Sequence, residues 1–254
     1  MSTIDFSPAP GAAPASTRIT RHAITEATLL VRNGEQLLLA LVIPLGILLG
    51  GRYFGGRFGD LDSLAPSVLG LAVWSSAFTS VAITTGFERR YGVLKRLGAT
   101  PLTRGGLIAA KTLSVIAIEL MQMVIIAGVG LALGWHPHGG PAGAVWVVAL
   151  VLAGTAAFSG LGLLLAGTLR AEATLAVANL IYLILLGVGG IIFPLTKFPA
   201  GARPVLTLLP SGALSDGLRS VLQHGAGAPV RDLAVLVVWA AAAIALAART
   251  FRWE

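Results

Sequence analysis

The sequence predicts an all-α polytopic membrane protein with six transmembrane helices, and three observations predict it. Of its 254 residues, 56% are hydrophobic and only 11% are charged, against about a quarter in soluble domains. The mean hydropathy is +0.85, more apolar surface than a soluble core of this length can bury. Apolar runs near the length of about 20 residues that one crossing requires also follow one another along nearly the whole chain.

In chain order, residues 1–16 are Ser-, Pro- and Ala-rich and read as a disordered cytoplasmic tail, without the basic start and apolar middle of a signal peptide. Thr17–Gln36 sets Ile19, Ile24, Leu29, Leu30 and Val31 at roughly helical spacing among Arg18, Arg21, His22, Glu26 and Arg32. It is either an amphipathic helix lying along the membrane interface or an extension of the first span. The first span is Leu37–Tyr53, with Pro44 expected to kink it. A polar, Gly-rich turn leads to the second span, Ser63–Phe87, and a charged loop, Glu88–Gly106, to the third, Leu107–Leu133. The turn Gly134–Gly143 leads to the fourth span, Ala144–Thr168, whose Gly154, Gly160, Gly162 and Gly167 suit close helix packing. The fifth span is Ala173–Phe193 and the sixth is Val230–Ala248, separated by the Pro-punctuated segment Pro194–Pro229. One membrane domain over 17–254 results.

Six crossings put both termini on one side. Twelve of the 18 Lys and Arg residues lie in the N-terminal region, the Glu88–Gly106 loop with Lys111, the 169–172 turn and the C-terminal tail, which makes that side cytoplasmic. Trp135 and Trp239 are expected as interfacial aromatics. The net charge of +7 and pI near 10.8 reflect these flanking bases. No basic patch is interleaved with aromatics, so nucleic acid is not an expected partner, whereas membrane lipid is. The absence of cysteine excludes disulfides, thiolate metal sites and thiol catalysis. His136 and His138 share one turn without further ligands, so no metal site is expected.

The loop FERRYGVLKRLGATPLTRGG carries the most information. Glu88–Leu97 intersperses Tyr91, Val93, Leu94 and Leu97 with charges, which predicts one short amphipathic helix ended by Gly98, and Thr100–Pro101 starts a new turn. Such a helix either docks in a groove of another protein or lies on anionic headgroups. The loop resembles that of type-2 ABC exporter permeases, which include the daunorubicin/doxorubicin-resistance drug permeases and the polysaccharide and teichoic-acid exporters. Glu88, Arg89, Gly92, Leu94, Lys95, Arg96, Leu97, Thr100, Pro101 and Leu102 match the family pattern, and Val93 departs from its usual Thr. The stretch from Gly189 to Pro199 (GGIIFPLTKFP), followed by Leu209, Pro210, Leu218 and Arg219, is similar to the family's segment after the fifth span.

The resemblance implies that the loop is a coupling helix seated in an ABC ATP-binding subunit, with Glu88, Arg89, Tyr91, Gly92, Leu94, Lys95, Arg96, Leu97, Thr100 and Pro101 at the contact. It implies an interfacial helix before the first span and short re-entrant outer helices between spans five and six, forming an outer gate with Pro194, Pro199, Pro210, Leu218 and Arg219. It implies two ATP-binding subunits and a second permease, either another copy of this chain in a homodimer or a homologue, in a bacterial plasma membrane. This chain has no G-x-x-x-x-G-K-[ST] phosphate loop, so ATP and Mg belong to the partner and the chain itself is not an enzyme.

For a substrate path the candidates are Trp74 and Phe78 on the second span, Glu119 and Gln122 on the third, and Asn179 and Tyr182, one turn apart on the fifth. Ser75 and Thr79 share the second span's spacing. The aromatics are equally suited to core packing, and Glu119 with Gln122 either face substrate or hydrogen-bond to a neighbouring helix. The function expected is export of a hydrophobic or amphiphilic molecule by alternating access. Alternatives are polysaccharide export, a proton-coupled secondary transporter using Glu119, and a non-transporting scaffold.

Overall fold

The computed structural model of the chain describes residues 11–32, 34–53, 60–191 and 194–250, with 34–39 as backbone only. Most of the expected N-terminal tail therefore lies outside the described residues. Helix α1 is Ala15–Arg32 and α2 is Gly34–Tyr53, which runs on through Pro44. A single long rod follows, made of α3 (Leu61–Trp74), a π-helical stretch (Ser75–Ser80) and α4 (Val81–Arg90). Next come the short α5 (Val93–Gly98), then α6 (Arg104–Ala132), α7 (Gly140–Thr168) and α8 (Ala171–Val188). After a 3-10 turn (Leu195–Lys197), the one-turn α9 (Arg203–Leu206) and α10 (Pro210–Leu222) precede α11 (Val230–Thr250).

Five of these helical stretches are long and apolar enough to cross a membrane: Leu61–Arg90, Arg104–Ala132, Gly140–Thr168, Ala171–Val188 and Val230–Thr250. The expected first span corresponds to α2, a 20-residue helix whose part described with side chains, Ala40–Tyr53, is an apolar stretch. The expected fifth span ends early. Gly190 takes φ +78, a left-handed turn that glycine adopts without strain, and the helix stops at Val188.

Two further features come from the same backbone chemistry. In place of one helix over Glu88–Leu97 there are two, because Gly92 sits at φ 70 and breaks the chain between α4 and α5. Trp135 is buried against the end of α6. The chain reverses at Gly134 (φ 95), the Trp135 amide donates to the Gly130 carbonyl at 2.9 Å, and the indole folds onto Gly130. Trp239 lies mid-way along α11, not at its end, and its Nε1 donates to the Leu208 carbonyl at 2.8 Å.

Helix α7 is the hub, packing against α11, α4, α10 and the π stretch. The small residues that mark it in the sequence serve different neighbours. Gly160 lies against Ala243 and Ile244 of α11, Gly154 against Leu214 of α10, and Gly162 against the backbone at Phe78 and Ala82. In lipid there is little hydrophobic drive between helices, so close van der Waals approach of this kind supplies the association. Helix α10 is a buried wedge between α3, α7 and α11. At the centre, the Trp74 and Phe78 rings stack with centroids 4.5 Å apart and Phe158 of α7 meets Trp74 edge-on at 4.7 Å.

Candidate functional site

A cavity of about 430 Å³ lies between α1, α2, α3, the π stretch, α4, α6 and α8. Its polar lining is Ser75, Ser76, Thr79 and Ser80 on the π stretch and Asn179 and Tyr182 on α8, facing aliphatic Ile43, Leu71, Val115 and Ile118. Among the described residues no charged side chain lines it. The four hydroxyls share one face of the rod by their spacing, and the stretch that carries them is π-helical, a distortion often found at functional sites. Its Ser-Ser-Ala-Phe-Thr-Ser sequence suits that role, since hydroxyls can return hydrogen bonds to the backbone. Ser75 Oγ donates to the Ala72 carbonyl at 3.1 Å.

Of the six path residues expected from sequence, Asn179 and Tyr182 line this cavity. Trp74 and Phe78 do not; they form the aromatic core described above, at 1% and 3% exposure. Gln122 is buried beside the cavity. It accepts from Ser76 Oγ at 2.8 Å and reaches the Ala40 carbonyl at 3.5 Å, joining α6 to the π stretch and α2. Glu119 is buried elsewhere on α6 and pairs with the Thr155 hydroxyl of α7, which also reaches the Val151 carbonyl at 2.8 Å. Ser76 and Ser80 escaped sequence reading, although at about 100° per residue positions 75, 76, 79 and 80 share one face of a helix; the run of small hydroxyl residues was the available signal.

At one end of the bundle the charged loop splits into inward and outward parts. Glu88 turns inward to Lys111 Nζ, 2.7 Å from its Oε2, and Lys111 also meets Glu26 Oε1 of α1 at 3.0 Å. Lys111 is buried, so the two carboxylates are what its charge requires there. Arg18 of α1 donates to the Pro101 carbonyl, tying α1 to the loop after α5. His22 packs beside this cluster, and burial, with Lys111 adding to it, lowers its pKa below 6.5 despite the nearby Glu26 carboxylate.

Arg89 also turns inward. Its Nη1 donates to the Ala166 carbonyl at 3.0 Å and its Nη2 to the Leu169 carbonyl at 2.6 Å, closing the last turn of α7. Arg90 pairs with Glu172 at the start of α8. Outward stand Tyr91, 67% exposed and stacked on Phe87, together with Lys95 and Arg96. Leu94 is wholly buried and Leu97 half-buried, so the apolar side of α5 is seated on the bundle. Thr100 Oγ1 donates to the Leu97 carbonyl at 2.6 Å and the exposed Pro101 follows; Thr103 Oγ1 accepts from the Gly106 amide at 3.0 Å and caps α6.

At the other end, Pro194 precedes the 3-10 turn, the Pro199 carbonyl accepts from the Ala202 amide, and Pro210 is the first residue of α10. Leu218 is fully buried. Arg219 is buried too, and its guanidinium donates to the Gly190 carbonyl at 2.6 Å, to the Ile191 carbonyl, and to Ser67 Oγ at 2.9 Å. It fastens α10 to the segment after α8 and to α3. Among the residues expected at a gate, Arg219 and Leu218 thus belong to the packed interior, while Pro199 stands at the surface.

The family model described as ABC-2 family transporter protein matches residues 39–249. No curated protein matches the chain.

Proposed function

The chain belongs to the ABC-2 family of transporter proteins, and from that premise we propose that it is the membrane subunit of an ATP-driven exporter for a hydrophobic or amphiphilic molecule. The observation that carries the substrate class is the lining of this cavity. Its described lining combines hydroxyls and one amide with aliphatic side chains and no charge, which suits a molecule with a small polar part and an apolar body. Two copies of this chain would pair with two ATP-binding subunits in a bacterial plasma membrane, with both termini and the Glu88–Gly106 loop in the cytoplasm. Nucleotide-driven movement of those subunits would push α5 and alternate access to the cavity.

Helix α5 is the proposed coupling helix, with exposed Tyr91, Lys95 and Arg96 at the contact and Leu94 holding it to the bundle. Helix α1 is the proposed interfacial helix, and α9 with α10 the proposed re-entrant pair, its packing fixed by Arg219. The proton-coupled alternative has less support, since Glu119 pairs with Thr155 and is not among the cavity-lining residues.

Co-expression with an ATP-binding-cassette subunit tests the reading. The two should co-purify, and the permease should stimulate ATP hydrolysis by its partner. Arg96→Glu should abolish both while the variant still elutes as a single species in detergent. Unchanged pairing and stimulation in that variant would sink the assignment of α5.

A further inference from the structure

Glu88 and Arg89 are neighbours in sequence, yet each fastens the end of α4 to a different wall of the cavity. Glu88 holds Lys111, and through it Glu26, so it ties α4 to α6 and α1. Those helices contribute Val115, Ile118 and Leu30 to the cavity. Arg89 holds the Ala166 and Leu169 carbonyls at the turn from α7 into α8. Arg90 adds its pair with Glu172, and Gly86 packs so closely on Thr174 that an added Cβ would stand 3.4 Å away. Helix α8 contributes Asn179 and Tyr182.

We infer that Arg89 is a positioning residue that makes the α8 wall of the cavity follow movement of α5, while the Glu88–Lys111 pair does the same for the α6 wall. The inference rests on the permease reading above. Three features support Arg89 in this role over its neighbour. Its two hydrogen bonds are charge-assisted and forked, so they fix direction as well as distance. They land on the C-terminal carbonyls of a helix, where a cation is favoured and where no backbone donor competes. The Arg90–Glu172 pair is exposed on both sides, and solvent and salt weaken such pairs. The left-handed Gly92 lies immediately beyond, so α5 can pivot against α4 while Arg89 keeps α4 and the α7–α8 turn together.

The natural absence of cysteine makes the test direct. Asn179→Cys and Ile118→Cys, each as the single thiol, report on the two walls through maleimide labelling rates, compared without nucleotide and with ATP plus vanadate in the complex with the ATP-binding subunit. Nucleotide should change both rates by roughly fivefold or more, the lower end of ordinary coupling between sites. Adding Arg89→Ala should remove the change at position 179, keep it at 118, and leave co-purification intact, since Arg89 faces inward. Arg89→Lys, which can serve only one carbonyl at a time, should give a partial response at 179; it also carries the test if Arg89→Ala fails to fold. An unaltered response at 179 in the Arg89 variants would overturn the inference, as would equal loss at both positions. Failure of the parent chain to co-purify or to respond at either position would instead overturn the permease reading.

Discussion

At Gly162 an added Cβ would stand 2.8 Å from the backbone oxygen of Phe78 and 3.3 Å from the amide nitrogen of Ala82. Neither atom can swing aside as a side chain would, so Gly162→Ala should destabilise the bundle by about 1–3 kcal/mol, the usual range for overpacking. Gly128→Ala, where nothing lies within 4 Å, should stay within about 1 kcal/mol of the parent. Unfolding titrations in mixed micelles would measure both. Arg219 makes the opposite kind of contact. Arg219→Ala leaves buried carbonyls without a donor, each costing about 1–3 kcal/mol, and should lower the unfolding midpoint sharply. Arg219→Lys should lose less but not nothing, because one ammonium does not reproduce the fork. Position was legible in the sequence for Asn179 and Tyr182, whose spacing of one turn brought them to one cavity. It was not legible for Trp74 and Phe78. The same one-turn spacing lets two rings stack on each other, and here they do so inside the core.

At the level of elements, the spans could be read from hydropathy, whereas their inward faces could not. Helix α7 is apolar all round, so periodicity says nothing about orientation there, and its glycines were the only guide to where neighbours approach. The break at Gly92 was obscured because charged residues continue across it. Helix α1 was expected at the interface, and its amphipathic pattern is now matched by named anchors: Arg18 on Pro101, Glu26 on Lys111, and Ile19 against Gly106. Its docking should depend on pH. His22 has a pKa below 6.5 in the docked state, so protonation favours release. Docking should be full above pH 6.5 and weaken as pH falls below it and through the lowered value. Limited trypsin cleavage at exposed Arg21 would follow this, with faster cutting at pH 5.5 than at 7.5 and little pH dependence in His22→Gln. Equal rates at both pH values would show that His22 does not control the docking.

For the whole molecule, the family and the membrane architecture were evident in the order of spans and the loop motif, because both are written in local sequence. The cavity was half evident. Asn179 and Tyr182 on its α8 side and Ser75 and Thr79 opposite followed from one-turn spacing, but Ser76, Ser80 and the π geometry of their stretch did not. A bulky residue there offers a test of the cavity as the transport route. Thr79→Trp should reduce transport to about a tenth or less while the complex with the ATP-binding subunit still assembles, as measured by efflux and co-purification side by side. Full transport in that variant would place the route elsewhere.

The π stretch also sets a phase. Each residue in a helix advances its side chain by about 100°, so the extra residue accommodated between Ser75 and Ser80 fixes how the two halves of the rod are turned relative to each other. Relaxing the stretch to a regular α-helix with every residue kept would leave composition and hydropathy unchanged. It would nonetheless swing Glu88 and Arg89 away from Lys111 and from the Ala166 and Leu169 carbonyls. Related chains with the same number of residues here but a regular α-helix should therefore differ in how their walls are wired to the loop, even where the loop itself is unchanged.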